Sequence, residues 1–335
     1  MIFLVNRDFY KFINCFYLRA KIKKEVDQLS RKIGIIGAGN VGATVAMSLT
    51  THNICNEIIL VDSNYTKAEA QALDIIDMMP FAQSYTHILA TDDPSALADT
   101  DIIINCVGAE SSFEDRLDEL QGTAKIIKEV FPIVMQSGFD GIIINITNPC
   151  DVITMLIQEV TGLPTSRVFG TGTALDTSRL YAHIGMTLQV DPSRISGYVL
   201  GEHGESQFIA WSTVRIDTFS AEQLIAEMPP GLGFNFEAVE EIVREAGWKV
   251  AKGKGHTNFA IAQVATSLVN AVYNNTQTIL PLSTYSKEHA CYLSSPAMVW
   301  KHGIRYATPA VLTEEEQVKL NASATIIKNA FDTVN

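Results

Sequence analysis

The glycine motif Gly37-x-Gly39-x-x-Gly42 constrains the fold of this chain more than any other feature of its sequence. It follows a short β-branched run, KIGII, and precedes a stretch of helical composition, TVAMSLTTHN. In that context the glycines permit a tight turn, close approach of a pyrophosphate, and close packing of helix on strand. The motif therefore predicts a dinucleotide site with the pyrophosphate at the helix that begins near Asn40.

An acidic residue closes the second predicted strand, EIILVD. Asp62 lies 20 residues after Gly42, where a carboxylate accepts a hydrogen bond from the ribose 2′-hydroxyl and repels a 2′-phosphate. This favours NAD over NADP as the cofactor. The alternative interpretation is an ordinary glycine turn followed by an unrelated loop aspartate.

Predicted strands and helices alternate from Arg31 to about Pro149, and the strands are apolar without polar alternation. This pattern is typical of a parallel sheet covered by helices on both faces. After Pro149 the strands become mixed, which indicates an α+β region. We therefore predict an α/β fold, with a doubly wound Rossmann domain at 31–168, an α+β substrate domain at 169–335, and an N-terminal extension of unknown role at 1–30.

Composition excludes several classes of function. With 25 Lys and Arg against 37 Asp and Glu, the formal charge of −12 disfavours nucleic-acid and anionic-membrane partners. No apolar run approaches the roughly 18 residues of a membrane span. The five scattered cysteines include no C-x-x-C pair, and the seven histidines form no metal-binding spacing, so we expect neither disulfides nor a metal site. A reducing cytoplasm fits this cysteine usage.

The most suggestive polar side chains lie in the second half of the chain. His203 occupies the turn GEHG between two apolar strands, and an imidazole is suited to move a proton at neutral pH. Asp176 and Arg179, in LDTSR, share one face of a predicted helix. Each also has a plainer interpretation: a structural histidine, and an intrahelical ion pair.

Two further candidates follow strands of the first half. Arg116 begins a helix after the acidic loop GAESSFED, and a cation there opposes the helix dipole, which hints at a function. The loop could be a lid over the ligand crevice or a solvated charged loop. Asn148 ends the fifth strand at the same carboxyl edge, and Pro149 fixes the turn after it.

Taken jointly, the segments GTGTALDTSR, SGYVLGEHGESQFIAWSTVRI and DRLDEL resemble the NAD-dependent L-2-hydroxy acid dehydrogenases, the L-lactate and L-malate dehydrogenase superfamily. The resemblance covers residues 31–335. Within the superfamily these segments are most similar to L-2-hydroxyisocaproate dehydrogenase. The resemblance implies reversible hydride transfer between NADH and a small 2-oxo acid by a homotetramer, with no nucleic-acid or membrane partner.

The resemblance also implies a role for each candidate. His203 is similar to the proton donor and acceptor of the family, and Asp176 to the carboxylate that orients it. Arg179 resembles the fork that grips the substrate carboxylate. Arg116 resembles the lid arginine that polarises the substrate carbonyl. Further substrate positions correspond to Asn148 and Thr257, and cofactor positions to Gly37, Gly39, Asn40, Val41, Gly42, Asp62, Val107, Gly108, Ala109 and Asn148.

Departures from the family pattern concern the substrate. The stretch between Ala109 and Arg116 contains no cation to pair a second carboxylate, so oxaloacetate is disfavoured. Where lactate dehydrogenases commonly carry glutamine, this chain has the smaller Ser111, which leaves room for a longer 2-oxo acid. The alternatives that stay open are a malate dehydrogenase and a non-catalytic dinucleotide-binding sensor on the same fold.

Overall fold

A computed structural model describes residues 31–108, 116–226, 234–308 and 310–335. Its main element is a nine-stranded sheet. Six neighbouring strands of this sheet are parallel, in the order β3-β2-β1-β4-β5-β6. These strands are β1 (Lys32–Ile36), β2 (Glu57–Val61), β3 (His87–Thr91), β4 (Ile102–Asn105), β5 (Ile142–Asn145) and β6 (Val168–Gly170).

Helices cover both faces of this sheet, which explains why its central strands are apolar on both sides. In β1, Ile33 and Ile35 pack in the core on one face, and Ile36 packs in the core on the other. Each such side chain contributes about 1.5–3 kcal/mol when fully buried. The helices of the first half are α1 (Asn40–Thr51), α2 (Tyr65–Ala82), α3 (Arg116–Gln136) and α4 (Cys150–Thr161), with a short 3₁₀ helix at Pro94–Leu97.

The second half begins with α5 (Ala174–Leu188) and a 3₁₀ helix at Pro192–Arg194. A three-stranded antiparallel sheet follows, in the order β7-β8-β9. Its strands are β7 (Ile195–Leu200), β8 (Phe208–Ile216) and β9 (Phe219–Ser220). The remaining elements are α6 (Ala221–Ala226), α7 (Phe236–Lys254), α8 (Phe259–Tyr273), β10 (Ile279–Ser286), β11 (Cys291–Trp300), β12 (Gly303–Ala307) and α9 (Glu314–Phe331).

The last three strands do not form a separate sheet. They extend the parallel sheet beyond β6 as an antiparallel continuation, where Ser283 of β10 lies opposite Gly170 of β6. Helix α8 also packs on the first-half core through Leu268 and Val269. The α/β class and doubly wound sheet predicted from the sequence are confirmed. The boundary between 168 and 169 stays a prediction, and residues 1–30 lie outside the described residues.

Candidate active site

Several predicted site residues lie where parallel strands end. In the sheet order, β1 lies next to β4, and the chain continues from these two strands toward opposite edges of the sheet. This switch point leaves a crevice outside the carboxyl ends of the strands, which is where ligands bind in open α/β sheets. Its described rims are the glycine turn after β1, residues 106–108 after β4 and the turn after β5.

The geometry of the glycine turn fits a bound dinucleotide. Gly37 has φ +99°, and a Cβ there would lie 2.7 Å from the carbonyl oxygen of Cys106. A Cβ on Gly42 would lie 1.8 Å from the carbonyl oxygen of Gly37, so helix and turn could not pack as closely. At Gly39, by contrast, the nearest atom to a built Cβ is the Lys67 Nζ at 3.9 Å. The space above Gly39 is open to a pyrophosphate, with the N-terminus of α1, beginning at Asn40 and Val41, behind it.

The Asp62 carboxylate is held beside this turn. Its Oδ2 accepts a hydrogen bond from the backbone N–H of Ala38 at 2.8 Å, and its Oδ1 accepts from Asn64 N–H at 2.9 Å. The Lys67 Nζ lies 3.5 Å from Asp62 Oδ2. Sequence reasoning did not identify Lys67, which the first turn of α2 brings to the glycine turn. A cation there would offset part of the phosphate charge of a bound dinucleotide.

Replacing Asp62 by serine is expected to relax the preference for NADH. The variant loses the charge that repels a 2′-phosphate and leaves Lys67 free to pair with one. We expect the ratio of kcat/KM for NADPH to that for NADH to rise on the order of 100-fold. Steady-state rates with both cofactors measure this ratio. Asp99→Ser, which removes a surface carboxylate paired with Lys32, is the control, and an unchanged ratio in Asp62→Ser would contradict the assignment.

A buried polar network joins the ends of β4 and β5. Asn105 and Asn145 are register partners, both fully buried, and Asn105 Nδ2 donates to Asn145 Oδ1 at 2.9 Å. Asn145 Nδ2 donates to the backbone carbonyl oxygens of Thr147 and Cys150, each at 3.1 Å. The Thr147 hydroxyl donates to the carbonyl oxygen of Val107 at 2.5 Å. This network fixes the positions of Val107 and of the turn that contains Asn148.

Three predicted residues of the second half form one bonded group. His203 Nδ1 lies 2.7 Å from Asp176 Oδ2, and Arg179 Nη1 donates to Asp176 Oδ1 at 2.7 Å. Asp176 is only 1% exposed, whereas the side chains of His203 and Arg179 are 23% and 19% exposed. The intrahelical ion pair considered in the sequence does form, and the same carboxylate also binds the imidazole of the β7–β8 turn.

Electrostatics bias this group toward a protonated imidazole. Burial alone would lower the pKa of His203, but attraction and the hydrogen bond from Asp176 outweigh burial and raise it above its ordinary value. Burial would likewise raise the pKa of Asp176, yet His203 and Arg179 hold it below its ordinary value. An ionised Asp176 only accepts hydrogen bonds, so Nδ1 of His203 carries a hydrogen and Nε2 is left for another partner.

Sequence reasoning missed a second carboxylate behind His203. The backbone N–H of His203 donates to Asp151 Oδ2 at 2.8 Å, and Asp151 is 2% exposed. Asp151 lies in the first turn of α4, just after Asn148. Asp151 and His203 are 52 positions apart in the chain, so no local spacing could have indicated their contact.

The structure gives fewer contacts for the other predicted site residues. Helix α7 passes beside Arg179, since a Cβ on Gly247 would lie 3.4 Å from its guanidinium nitrogens. Thr257 lies just before α8, and its neighbour Asn258 donates to the Thr44 hydroxyl of α1 at 2.9 Å. A Cβ built on Gly108 would have no atom of the described residues within 4 Å. Ala109, Ser111 and the side chain of Arg116 lie outside the described residues, although α3 begins at Arg116.

The described residues offer no candidate for a metal site or a membrane span. No group of three or more histidine, cysteine or acidic side chains there is arranged to hold a metal ion. No helix among the described segments is long and apolar enough to cross a membrane.

Comparisons with known proteins give matches over both halves of the chain. Residues 31–170 match the family model described as lactate/malate dehydrogenase, NAD binding domain, and residues 173–335 match the alpha/beta C-terminal domain of the same family. The chain is 36% identical to L-lactate dehydrogenase 3 of Bacillus thuringiensis subsp. konkukian over 312 residues, 91% of this chain and 98% of that protein. It is 36% identical to L-lactate dehydrogenase 1 of Bifidobacterium longum over 303 residues, 89% of this chain and 96% of that protein.

Solved structures give the same result. The minor L-lactate dehydrogenase from Enterococcus mundtii, in its ligands-bound form, superposes with a TM-score of 0.86 at 32% identity, covering 91% of this chain and 99% of that chain. A lactate dehydrogenase from a Medee basin deep-sea metagenome library also superposes with a TM-score of 0.86, at 30% identity, and with the same coverage of both chains.

Proposed function

The chain belongs to the lactate/malate dehydrogenase family and is an NAD-dependent 2-hydroxy acid dehydrogenase, and from this premise we propose how its residues act and which substrate they select. The observation that carries the proposal is a bonded group of three residues. In it the buried Asp176 carboxylate holds the partly exposed side chains of His203 and Arg179. It combines a proton donor with a cationic fork for a carboxylate.

His203 is proposed as the acid and base. In the reduction, its protonated imidazole delivers a proton from Nε2 to the carbonyl oxygen of the 2-oxo acid. Asp176 holds Nδ1, stabilises the charged imidazole, and limits rotation of the ring. In the oxidation of the hydroxy acid, the neutral imidazole takes the proton back.

Arg179 is proposed to bind the substrate carboxylate. Its bond to Asp176 uses Nη1 and fixes the plane of the guanidinium, so another edge can hold a carboxylate through two parallel hydrogen bonds. Arg116, the first residue of α3, is proposed to polarise the substrate carbonyl. Asn148 is proposed to orient the substrate, and Thr257 to contact its side chain.

The proposed cofactor residues surround the switch point. Bound NADH supplies the hydride. Gly39 leaves space for the pyrophosphate at the N-terminus of α1, and Asp62 accepts from the adenosine ribose. Val107 and Gly108, which follow β4, are proposed to complete the site on the nicotinamide side together with Ala109 and Asn148. The Asn105–Asn145–Thr147 network fixes the position of Val107.

We propose a monocarboxylic 2-oxo acid with a branched or extended side chain, as in the L-2-hydroxyisocaproate branch, as the preferred substrate. Ser111 and the absence of a cation between Ala109 and Arg116 support this choice. A cavity of about 490 Å³, which includes Glu205 two residues after His203 in the chain, adds support, because its net negative charge disfavours a second carboxylate. It is lined by Glu205, Glu237, Glu240, Glu241, Arg244, Glu245 and Trp248.

Side-by-side rates test the substrate. We expect kcat/KM with NADH at neutral pH to be highest for 2-oxoisocaproate, lower for pyruvate and lowest for oxaloacetate, with a methylene worth about 1–3 kcal/mol. A strong preference for pyruvate would show that the lid and Ser111 leave no enlarged pocket. Dominant activity with oxaloacetate would favour the malate dehydrogenase alternative and require a cation in the site.

The non-catalytic sensor is the weaker alternative, because a sensor does not need an imidazole paired with a buried carboxylate beside a guanidinium.

We also propose that the protein is a cytoplasmic homo-oligomer, a tetramer as in the family resemblance. Helix α2 supports this, since Leu73, Ile76 and Phe81 are 54%, 39% and 94% exposed and apolar. Light scattering of the purified protein measures the oligomeric state.

A further inference from the structure

Asp151 connects two segments that the proposed mechanism uses. Its backbone lies three residues after Asn148, in the first turn of α4. Its Oδ2 accepts from the backbone N–H of His203, at the turn between β7 and β8. One carboxylate therefore holds together the turn that presents Asn148 and the turn that presents the imidazole.

The position of Asp151 differs from that of an ordinary helix-capping acid. An acid in the first turn usually lies at the surface and interacts with the N-terminus of its own helix. Asp151 is 2% exposed, and its hydrogen bond goes to a residue 52 positions away. Its other oxygen, Oδ1, is buried and forms no hydrogen bond with any described residue. Ionising such a group costs free energy, which points to a use for its charge.

The groups that influence Asp151 come from every segment packed on it. Burial raises its pKa to about 6, while the Ser283 hydroxyl on β10 and His203, through its N–H and its charge, lower the pKa and Glu202 raises it. Cys150 beside it and Cys291 on β11 are buried thiols whose pKa values Asp151 raises further. Within the described ranges no lysine or arginine forms an ion pair with Asp151. Among the groups that shift the pKa of Asp151, His203 is thus the one that can carry a positive charge.

We propose that Asp151 is a second positioning carboxylate for the proton shuttle: it fixes the backbone of the turn that carries His203, and its negative charge favours the protonated imidazole. The inference rests on the proposed role of His203. Asp176 binds the ring at Nδ1, and Asp151 binds the backbone N–H of the same residue. The charge of Asp151 contributes in the same direction as Asp176 to the raised pKa of His203.

The replacement Asp151→Asn tests the charge, because asparagine keeps the size and an oxygen that can accept the His203 N–H. Reduction of a 2-oxo acid needs protonated His203, so kcat/KM declines as the pH rises through its pKa. Without the negative charge the decline begins at lower pH. We expect kcat/KM of the variant to fall on the order of tenfold at pH 8 and less than about twofold at pH 6. Asp140→Asn, which removes a surface carboxylate paired with Arg167, should keep the wild-type profile.

Two further measurements separate charge from packing. Asp151→Glu keeps the charge, so its decline in kcat/KM should stay at the wild-type pH even where kcat is lower. The rate at which diethyl pyrocarbonate modifies His203, taken as the difference from the His203→Ala variant, should titrate at lower pH in Asp151→Asn. This second readout does not depend on turnover, and in both variants circular dichroism reports whether the chain folds.

The outcomes are distinct. An unchanged pH profile and modification rate in Asp151→Asn would overturn the inference, and so would equal shifts in Asp151→Asn and Asp151→Glu. If His203→Ala retained turnover, the proposed role of His203 would fail instead, whatever the Asp151 variants did.

Discussion

Replacing His203 by alanine is expected to lower kcat for 2-oxo acid reduction by on the order of 10³-fold or more while leaving the Kd for NADH within about twofold. The variant loses the proton donor and leaves Asp176 buried without its imidazole partner. The glycine turn and Asp62 bear no direct bond to His203, so cofactor binding is preserved. Steady-state rates and a fluorescence titration with NADH measure the two quantities.

His87→Ala provides the matched control, because His87 is an exposed histidine at the start of β3 and far from the bonded group. It should keep wild-type kcat. A His203→Ala protein that retains more than about a tenth of the wild-type kcat would remove His203 from the mechanism.

The second large effect is expected at Arg179. Arg179→Lys keeps the positive charge but loses the planar fork that can grip a carboxylate with two hydrogen bonds. We expect KM for the 2-oxo acid to rise on the order of 100-fold, with a smaller change in kcat, because substrate binding is lost more than the proton transfer. Initial rates over a wide range of substrate concentration measure this separation.

Arg194→Lys is the comparison for Arg179→Lys. Arg194 also forms a forked contact, with the Asp217 carboxylate, but it lies at the surface, at the end of the 3₁₀ helix before β7. Its replacement should leave KM unchanged. If Arg179→Lys also left KM within about threefold of wild type, the substrate carboxylate would bind elsewhere.

The cofactor half of the molecule was accessible to sequence reasoning because its signals are local. The glycine turn, the apolar strands and the acid after β2 each depend on neighbours within one βαβ unit. The pairing of Asp176 and Arg179 was also a local signal, because the two residues are three positions apart on one helix. His203 could be proposed because a polar turn between two apolar strands is itself a local pattern, but its contact with Asp176 required the fold.

What the sequence did not reveal depends on contacts distant in the chain. Nothing local indicates that β10 to β12 continue the first-half sheet, because the single register pair between β10 and β6 joins residues far apart. Lys67 reaches the glycine turn, and Asp151 reaches His203, only through packing of whole elements. Asn105 and Asn145 read as isolated polar residues in apolar strands until the strands are paired in register.

The most direct test is the stoichiometry and stereochemistry of one reaction. The purified protein is incubated with NADH and 2-oxoisocaproate or pyruvate, NADH oxidation is followed by absorbance, and the product is resolved by chiral chromatography. We expect one L-2-hydroxy acid formed for each NADH oxidised. Formation of the D enantiomer, or NADH oxidation no faster than that of the His203→Ala variant with either acid, would contradict the proposed mechanism.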